Sequence, residues 1–231
     1  MEPAISTGAV SHSTSNFEIR RSLERMIVNL WQNRNISVTE VEIGPPTSRF
    51  EIETAKKAAN GRLPVGVEEF YSQVGSFKVE WETISPELEG ANIPATGHIN
   101  ILPISKIFGD NWRDVTWFPL PNDREPTSDD EWRFEYRNVV PFDFFIPEAC
   151  MCFLQEQGET PDDQVAFHDF EEIFKTRYTF ADYIARLLKS YGYCYWMKSL
   201  ASECEDRVDV EEFRANIPKL FESIDDSLFC P

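Results

Sequence analysis

The chain has 231 residues, with 40 Asp and Glu against 22 Lys and Arg and a formal net charge of −18. Apolar residues make up 42% of it, and 18 Phe, 7 Tyr and 6 Trp supply the bulk of a sizeable core, which argues against wholesale disorder. The negative charge argues against direct binding to nucleic acid or to an anionic membrane, both of which repel it, and makes a basic partner the natural complement.

Residues 1–15 are small and polar and read as an arm ahead of one domain over 16–231. The opening MEPAISTGAVSHSTSNFEIR has no apolar run flanked by basic and small residues, so it does not read as a secretory signal. No stretch approaches the ~18 consecutive apolar residues of a membrane span. Five cysteines, Cys150, Cys152, Cys194, Cys204 and Cys230, form no regular framework and read as free thiols of a reducing compartment. The expectation is a cytoplasmic protein.

From Asn16 the pattern is helical: Leu23, Met26, Ile27, Leu30 and Trp31 share one apolar stripe. Ile36 to Ile43 alternates as a strand and Gly44-Pro45-Pro46 ends it. Ser48-Arg49-Phe50-Glu51 is a capping box that opens a second helix, which Gly61 closes. Leu63-Pro64 starts a third helix with Val67, Phe70, Tyr71 and Val74 on one face, stopped by Gly75. Phe77, Val79 and Trp81 alternate with Lys78 and Glu80 as a half-buried strand. A loop over 84–97 precedes a strand in His98 to Ile104 and a turn from Ser105 to Phe108. Residues 109–137 are irregular, longer than an ordinary connection. Strands are then expected over Asn138 to Phe145, Ala149 to Gln155 and Gln164 to Phe170. Thr179 opens a helix with Asp182 placed to cap it and Phe180, Tyr183, Ile184, Leu187, Leu188 and Tyr191 on its buried face. Two more helices follow, about Tyr193 to Cys204 and about Val210 to Ile224. Helices first, strands in the middle and helices last predict a single α+β domain with a central antiparallel or mixed sheet flanked by helices.

The charge is unevenly placed. Residues 1–118 carry 15 acids and 11 bases, residues 119–172 carry 15 and 3, and residues 173–231 carry 10 and 8, so −12 of the −18 falls in 119–172. Its densest parts run from Asp123 to Trp132 and through Glu156, Glu159, Asp162 and Asp163. An acidic surface of this kind either keeps the chain soluble or, with Trp112, Trp117 and Trp132 interleaved, faces a basic protein: acidic rims steer association and aromatic anchors supply binding energy.

Other chemistry finds little support. The ten glycines are scattered and make no phosphate-binding cluster. Cys150-Met151-Cys152 puts two sulfurs on one face of a strand, but no second pair of ligands stands at zinc spacing, so buried small hydrophobes are the expected reading. His98 and His168 lie in strand-like runs and His12 in the arm; a Cys–His or Ser–His dyad assembled in the fold stays open, with no nucleophile elbow to support it. Asp129-Asp130 and Asp162-Asp163 lack the interval of a calcium loop. No metal, cofactor, small-molecule substrate or enzyme activity is expected.

Taken in order, several segments resemble the SUKH superfamily, the Smi/Knr-type fold. They are Pro45-Pro46 with the helix from Ser48, then Leu63-Pro64-Val65-Gly66-Val67-Glu68-Glu69-Phe70-Tyr71, Ile99-Asn100-Ile101-Leu102-Pro103-Ile104, Val140-Pro141-Phe142-Asp143, and Thr179-Phe180-Ala181-Asp182-Tyr183-Ile184. The likeness spans residues 45–191. It departs at Val74-Gly75-Ser76, where the family usually has Asn-Gly-Gly, in the long 109–137 stretch, and in a first helix and a C-terminal helical extension over 193–231 that look added. The resemblance implies a binding module, not a catalyst. Many bacterial members look like immunity proteins that bind a toxin of a polymorphic toxin system and block its active site; fungal members are scaffold-like regulators of cell-wall synthesis and signalling. The expectation is therefore an immunity protein that neutralises a cognate secreted toxin, such as a basic nuclease or deaminase, through Asp123, Glu125, Asp129, Asp130, Glu131, Trp132, Glu159, Asp162 and Asp163. A scaffold or regulator with host protein partners is the second reading and a carboxylate-based enzyme the third.

Overall fold

The computed structural model describes residues 18–84, 95–109, 138–147, 149–156, 158–169, 172–204, 207–221 and 226–231. The expected arm over 1–15 and nearly all of the irregular stretch over 109–137 lie outside the described residues.

The first helix, α1 (Ile19–Gln32), buries Ile19, Leu23, Met26, Ile27 and Leu30. Glu18 provides no side-chain cap, so the Ile19 amide donates instead to Gln73 Oε1 at 2.9 Å; a distant residue thereby satisfies one of the orphan donors that begin every helix. Trp31, expected in the apolar stripe, is 63% exposed. It stands one residue beyond buried Leu30, about 100° further round the helix, which carries it off the buried face. Strand β1 (Ile36–Ile43) follows, and Gly44 leads out of it. The Ser48–Glu51 capping box that opens α2 (Arg49–Ala58) is fully formed, with Glu51 N–H donating to Ser48 Oγ at 3.2 Å and Ser48 N–H to Glu51 Oε2 at 3.0 Å. The helix closes through Asn60 and Gly61 at φ 54° and 96°, with the Gly61 amide on Lys56 O at 2.7 Å.

The third helix is later and shorter than Leu63-Pro64 implies. α3 (Val67–Tyr71) starts only after Gly66, which has φ 90°. A Cβ on Gly66 would lie 2.7 Å from Ala181 Cβ, so the loop passes the start of a later helix only as glycine. Strands β2 (Phe77–Thr83) and β3 (Thr96–Ile101) alternate as expected, and Ile104 to Ile107 form one helical turn, α4. β4 (Val139–Ile146), β5 (Ala149–Leu154) and β6 (Gln164–Asp169) occupy the three expected strand runs. A seventh strand, β7 (Glu172–Thr179), was not expected, although Phe174, Thr176 and Tyr178 alternate inward against exposed Lys175 and Arg177. The strands form one sheet in the order β1-β2-β3-β4-β5-β6-β7, antiparallel throughout. The chain is thus an α+β fold on a single seven-stranded antiparallel sheet.

The second fully formed capping box, Thr179 with Asp182, opens α5 (Phe180–Ser190). Where one helix was expected over 193–204, the chain makes two short 3₁₀ segments, Trp196–Leu200 and Ser202–Cys204. Positive φ at Tyr191, Gly192 and Tyr195 turns the backbone too often for a continuous helix. Helix α6 (Val208–Leu220) and a last 3₁₀ turn, Asp226–Phe229, complete the chain.

The buried residues of α1 to α6 join the inner face of the sheet in one cluster. At its centre Phe142 meets Phe180 and Tyr183 edge-on, at ring separations of 5.0 and 5.2 Å, and lies tilted on Phe153 at 4.7 Å. The other face of the sheet holds a smaller cluster of Val139, Cys150, Cys152 and Ala166, with Phe144, Leu154 and Ile173 packed against it. Cys150 and Cys152 do share one face as buried small groups, and burial pushes the Cys150 thiol well up, away from the reactive thiolate. No helix among the described residues is long and apolar enough to cross a membrane.

Candidate functional site

Glu156, Glu159, Asp162 and Asp163, the second dense part of the acidic region, lie in the turn between β5 and β6. Asp162 N–H bonds Leu154 O at 2.8 Å, which closes the turn on β5, and Gln155 N–H bonds Asn138 O at 2.8 Å beside the start of β4. Gly158 takes φ 87° where the chain reverses. The turn is then pinned from outside. Asn60 Nδ2 donates to Glu159 O at 2.7 Å, and Arg62 donates to Pro161 O at 3.2 Å and to Asp163 Oδ1 at 2.7 Å. The same Asp163 oxygen accepts the Val65 amide at 3.0 Å. A loop about a hundred residues away therefore holds the acidic turn in place.

Of the nine residues expected to meet a partner, Glu159, Asp162 and Asp163 are described; Asp123, Glu125, Asp129, Asp130, Glu131 and Trp132 lie outside the described residues. Glu159 and Asp162 are exposed, while Asp163 is partly covered and tied to Arg62 and Val65. Asp163 thus acts as a positioning group, and its neighbours carry the display. Glu156 is exposed too and accepts from Asn138 Nδ2 at 2.9 Å. Beyond Val65, which is 53% exposed, Glu68 and Glu69 add outward carboxylates, with Lys56 on Glu68 at 2.8 Å. The surface is an acidic ridge with an apolar residue beside it.

The far end of β6 uses its charge differently. Lys198 is 7% exposed and bridges Asp169 Oδ2 at 2.9 Å and Asp209 Oδ2 at 2.7 Å, with its ammonium 4.0 Å over the Tyr195 ring. Burial works to lower the Lys198 pKa, yet the hydrogen bonds it donates to the two carboxylates outweigh it and hold the value above the ordinary one. Arg207 pairs with Glu172 at 2.9 Å and stacks over Phe174. These contacts fasten the C-terminal helical region to the sheet.

A second buried carboxylate has no cation among the described residues. Asp143, 1% exposed, accepts Tyr183 O–H at 2.6 Å and Asn100 N–H at 2.7 Å. Burial pushes its pKa up to about 6, although the two donors pull the other way. Such a value suits acid–base chemistry. Here both oxygens are taken by the chain's own donors, so Asp143 reads as a fastening. It sits where β3 and β4 share one register pair, Ile101 with Asp143, and stitches that seam to α5. His168 is buried beside Asp169, and burial lowers its pKa to about 4, so the ring is neutral at pH 7. Among the described residues, no group of three or more His, Cys, Asp and Glu is arranged to hold a metal ion.

Comparison with family models, curated proteins and solved structures gives no match to this chain. The site is therefore read from its own chemistry. Sequence patterns found the carboxylates of the turn but not the residues that brace it. Arg62 and Asn60 carry no local signal, because their partners lie 99 to 101 positions away.

Proposed function

We propose that the chain is a protein-binding module of the SUKH-like immunity type, which neutralises a cognate secreted toxin by covering a basic active-site cleft with its acidic face. The observation that carries this reading is the pair of exposed carboxylates Glu159 and Asp162 on a turn braced from a second loop, within the stretch 119–172 that holds −12 of the net charge. A braced turn loses little entropy on docking, and carboxylates without local counter-cations favour a basic surface. Nuclease and deaminase toxins need such surfaces for their own substrates. The order of segments from Pro45-Pro46 to Thr179-Phe180 supports the family likeness, and with it an inhibitory role.

The test begins with the immobilised chain and an extract of its source, from which the retained protein is identified by mass spectrometry. The reading expects a basic protein whose toxicity is suppressed by adding the chain. Replacing Asp129, Asp130 and Glu131 with Lys should weaken the complex and slow its formation, most at low salt. A retained partner with no toxic activity would move the chain to the regulatory class, and unchanged affinity in the variant would remove that part of the patch.

A further inference from the structure

Along the last 3₁₀ turn and into Cys230, three successive main-chain carbonyls are each taken by a side chain from a different element. Arg186 Nε of α5 donates to Leu228 O at 2.8 Å, Arg214 Nη2 of α6 donates to Phe229 O at 3.4 Å, and the Tyr178 hydroxyl of β7 donates to Cys230 O. Two of these donors are themselves fixed. The Arg186 guanidinium lies 3.8 Å over the Tyr178 ring and donates to Asp182 O at 3.1 Å, while the Tyr178 hydroxyl accepts from Arg177 at 3.2 Å. One side chain is taken in deeply. Phe229 is 2% exposed and meets Trp196 and Phe213 edge-on, at ring separations of 5.9 and 4.9 Å. On either side of it Ser227 is exposed, Leu228 is half-buried and Cys230 is exposed.

A grip of this kind reads the main chain and one aromatic anchor, which is how a groove recognises a peptide. Carbonyl oxygens are offered by every sequence, so the selection rests on the anchor. The present anchor also leaves something unmet. Trp196, the ring that Phe229 meets edge-on, is fully buried, and its indole N–H has no acceptor among the described residues. We propose that β7, α5, α6 and Trp196 form a peptide-binding groove that segment 226–231 fills in cis, and that this segment exchanges with a peptide of another protein carrying an aromatic anchor. Six residues with one buried anchor belong to the weakly held end of a fold's stability scale, so the segment leaves without the core coming apart. Tethering gives it an effective concentration in the range of mM, which shuts the groove to weak competitors. The groove uses no residue of the acidic ridge, so the proposal stands whatever partner the ridge has.

The test is calorimetric titration of the full chain with a synthetic peptide of residues 226–231, blocked at both ends and kept reduced. Phe229→Ala in the full chain weakens the cis occupant, and this variant should bind the peptide at least about tenfold more tightly than the wild type does. Adding Tyr178→Phe, which removes one carbonyl donor, should raise the dissociation constant of the variant about fivefold. A peptide that itself carries Phe229→Ala should bind neither chain. A folded Phe229→Ala chain that takes up no peptide overturns the proposal. Equal affinity in wild type and variant does so too, because the peptide would then be bound elsewhere. Phe229 is buried, so a second measurement covers loss of the fold in that variant. The wild-type chain is irradiated with the same peptide carrying a photoreactive phenylalanine at position 229. The crosslink should fall on Trp196, Phe213 or their neighbours and disappear with excess plain peptide; no crosslink, or one confined to other elements, overturns the exchange.

Discussion

The two ends of β6 treat acidic residues in opposite ways. At its start, the turn holding Glu159, Asp162 and Asp163 uses one carboxylate as a brace against Arg62 and leaves its neighbours in solvent. At its end, Asp169 is enclosed and neutralised by Lys198, which Asp209 also grips. One end consumes its charge in holding the fold; the other displays it. Net charge alone therefore says little about function, and the useful quantity is charge that the chain itself does not neutralise.

The contrast breaks most strongly at the closed end. Lys198→Met leaves Asp169 buried without a cation and should lower stability by about 3–5 kcal/mol, read as a shift in urea midpoint; a loss below about 1 kcal/mol would mean the ion network is not fastening the C-terminal region. Next comes Asp143, which is buried without a cation among the described residues. Its folded-state pKa of about 6 lies above the unfolded value near 3.8, so the folded state holds the proton more tightly. Its contribution is present in full below pH 4 and is lost as pH rises through about 6. The loss is on the order of 3 kcal/mol. Asp143→Asn keeps an acceptor for Asn100 N–H and should remove this part of the pH dependence, so the wild type should lose ground to the variant between pH 4.5 and 7.5 in paired urea titrations. A constant difference across that range would show that Asp143 does not titrate there.

Smaller effects belong to the open end. Arg62→Ala removes an exposed ion pair and should cost about 0.5–1 kcal/mol. Its clearer signature is faster hydrogen exchange at Asp162, Asp163 and Val65 as the turn loosens. Least of all, Glu159→Lys/Asp162→Lys should change stability by no more than about 0.5 kcal/mol, because both residues are exposed and unpaired in the described structure.

Local periodicity made much of this fold readable. Phe77, Val79 and Trp81 announced β2, and Ser48–Glu51 and Thr179–Asp182 announced two helix starts that form as capping boxes. Regions governed by tertiary contacts were less legible. β7 alternates well but follows β6 so closely that the two strands read as one run and its sequel. Residues 196–200 are buried on every side, so the one-sided pattern that marks a surface helix has no meaning there. Trp31 fitted the apolar stripe by spacing, yet it stands outside the core. Within the acidic site, the sign and concentration of charge were visible; the division of labour between Asp163 and its neighbours was not, since it depends on Arg62, 101 positions away.

On the function proposed above, the unneutralised carboxylates of the ridge recruit a basic protein. The most direct test is the association rate of the partner recovered on the immobilised chain, measured at low and high salt for the wild type and Glu159→Lys/Asp162→Lys. Association should slow with salt in the wild type, and should be both slower and less salt-sensitive in the variant. Equal rates and equal salt dependence in the two proteins would contradict it.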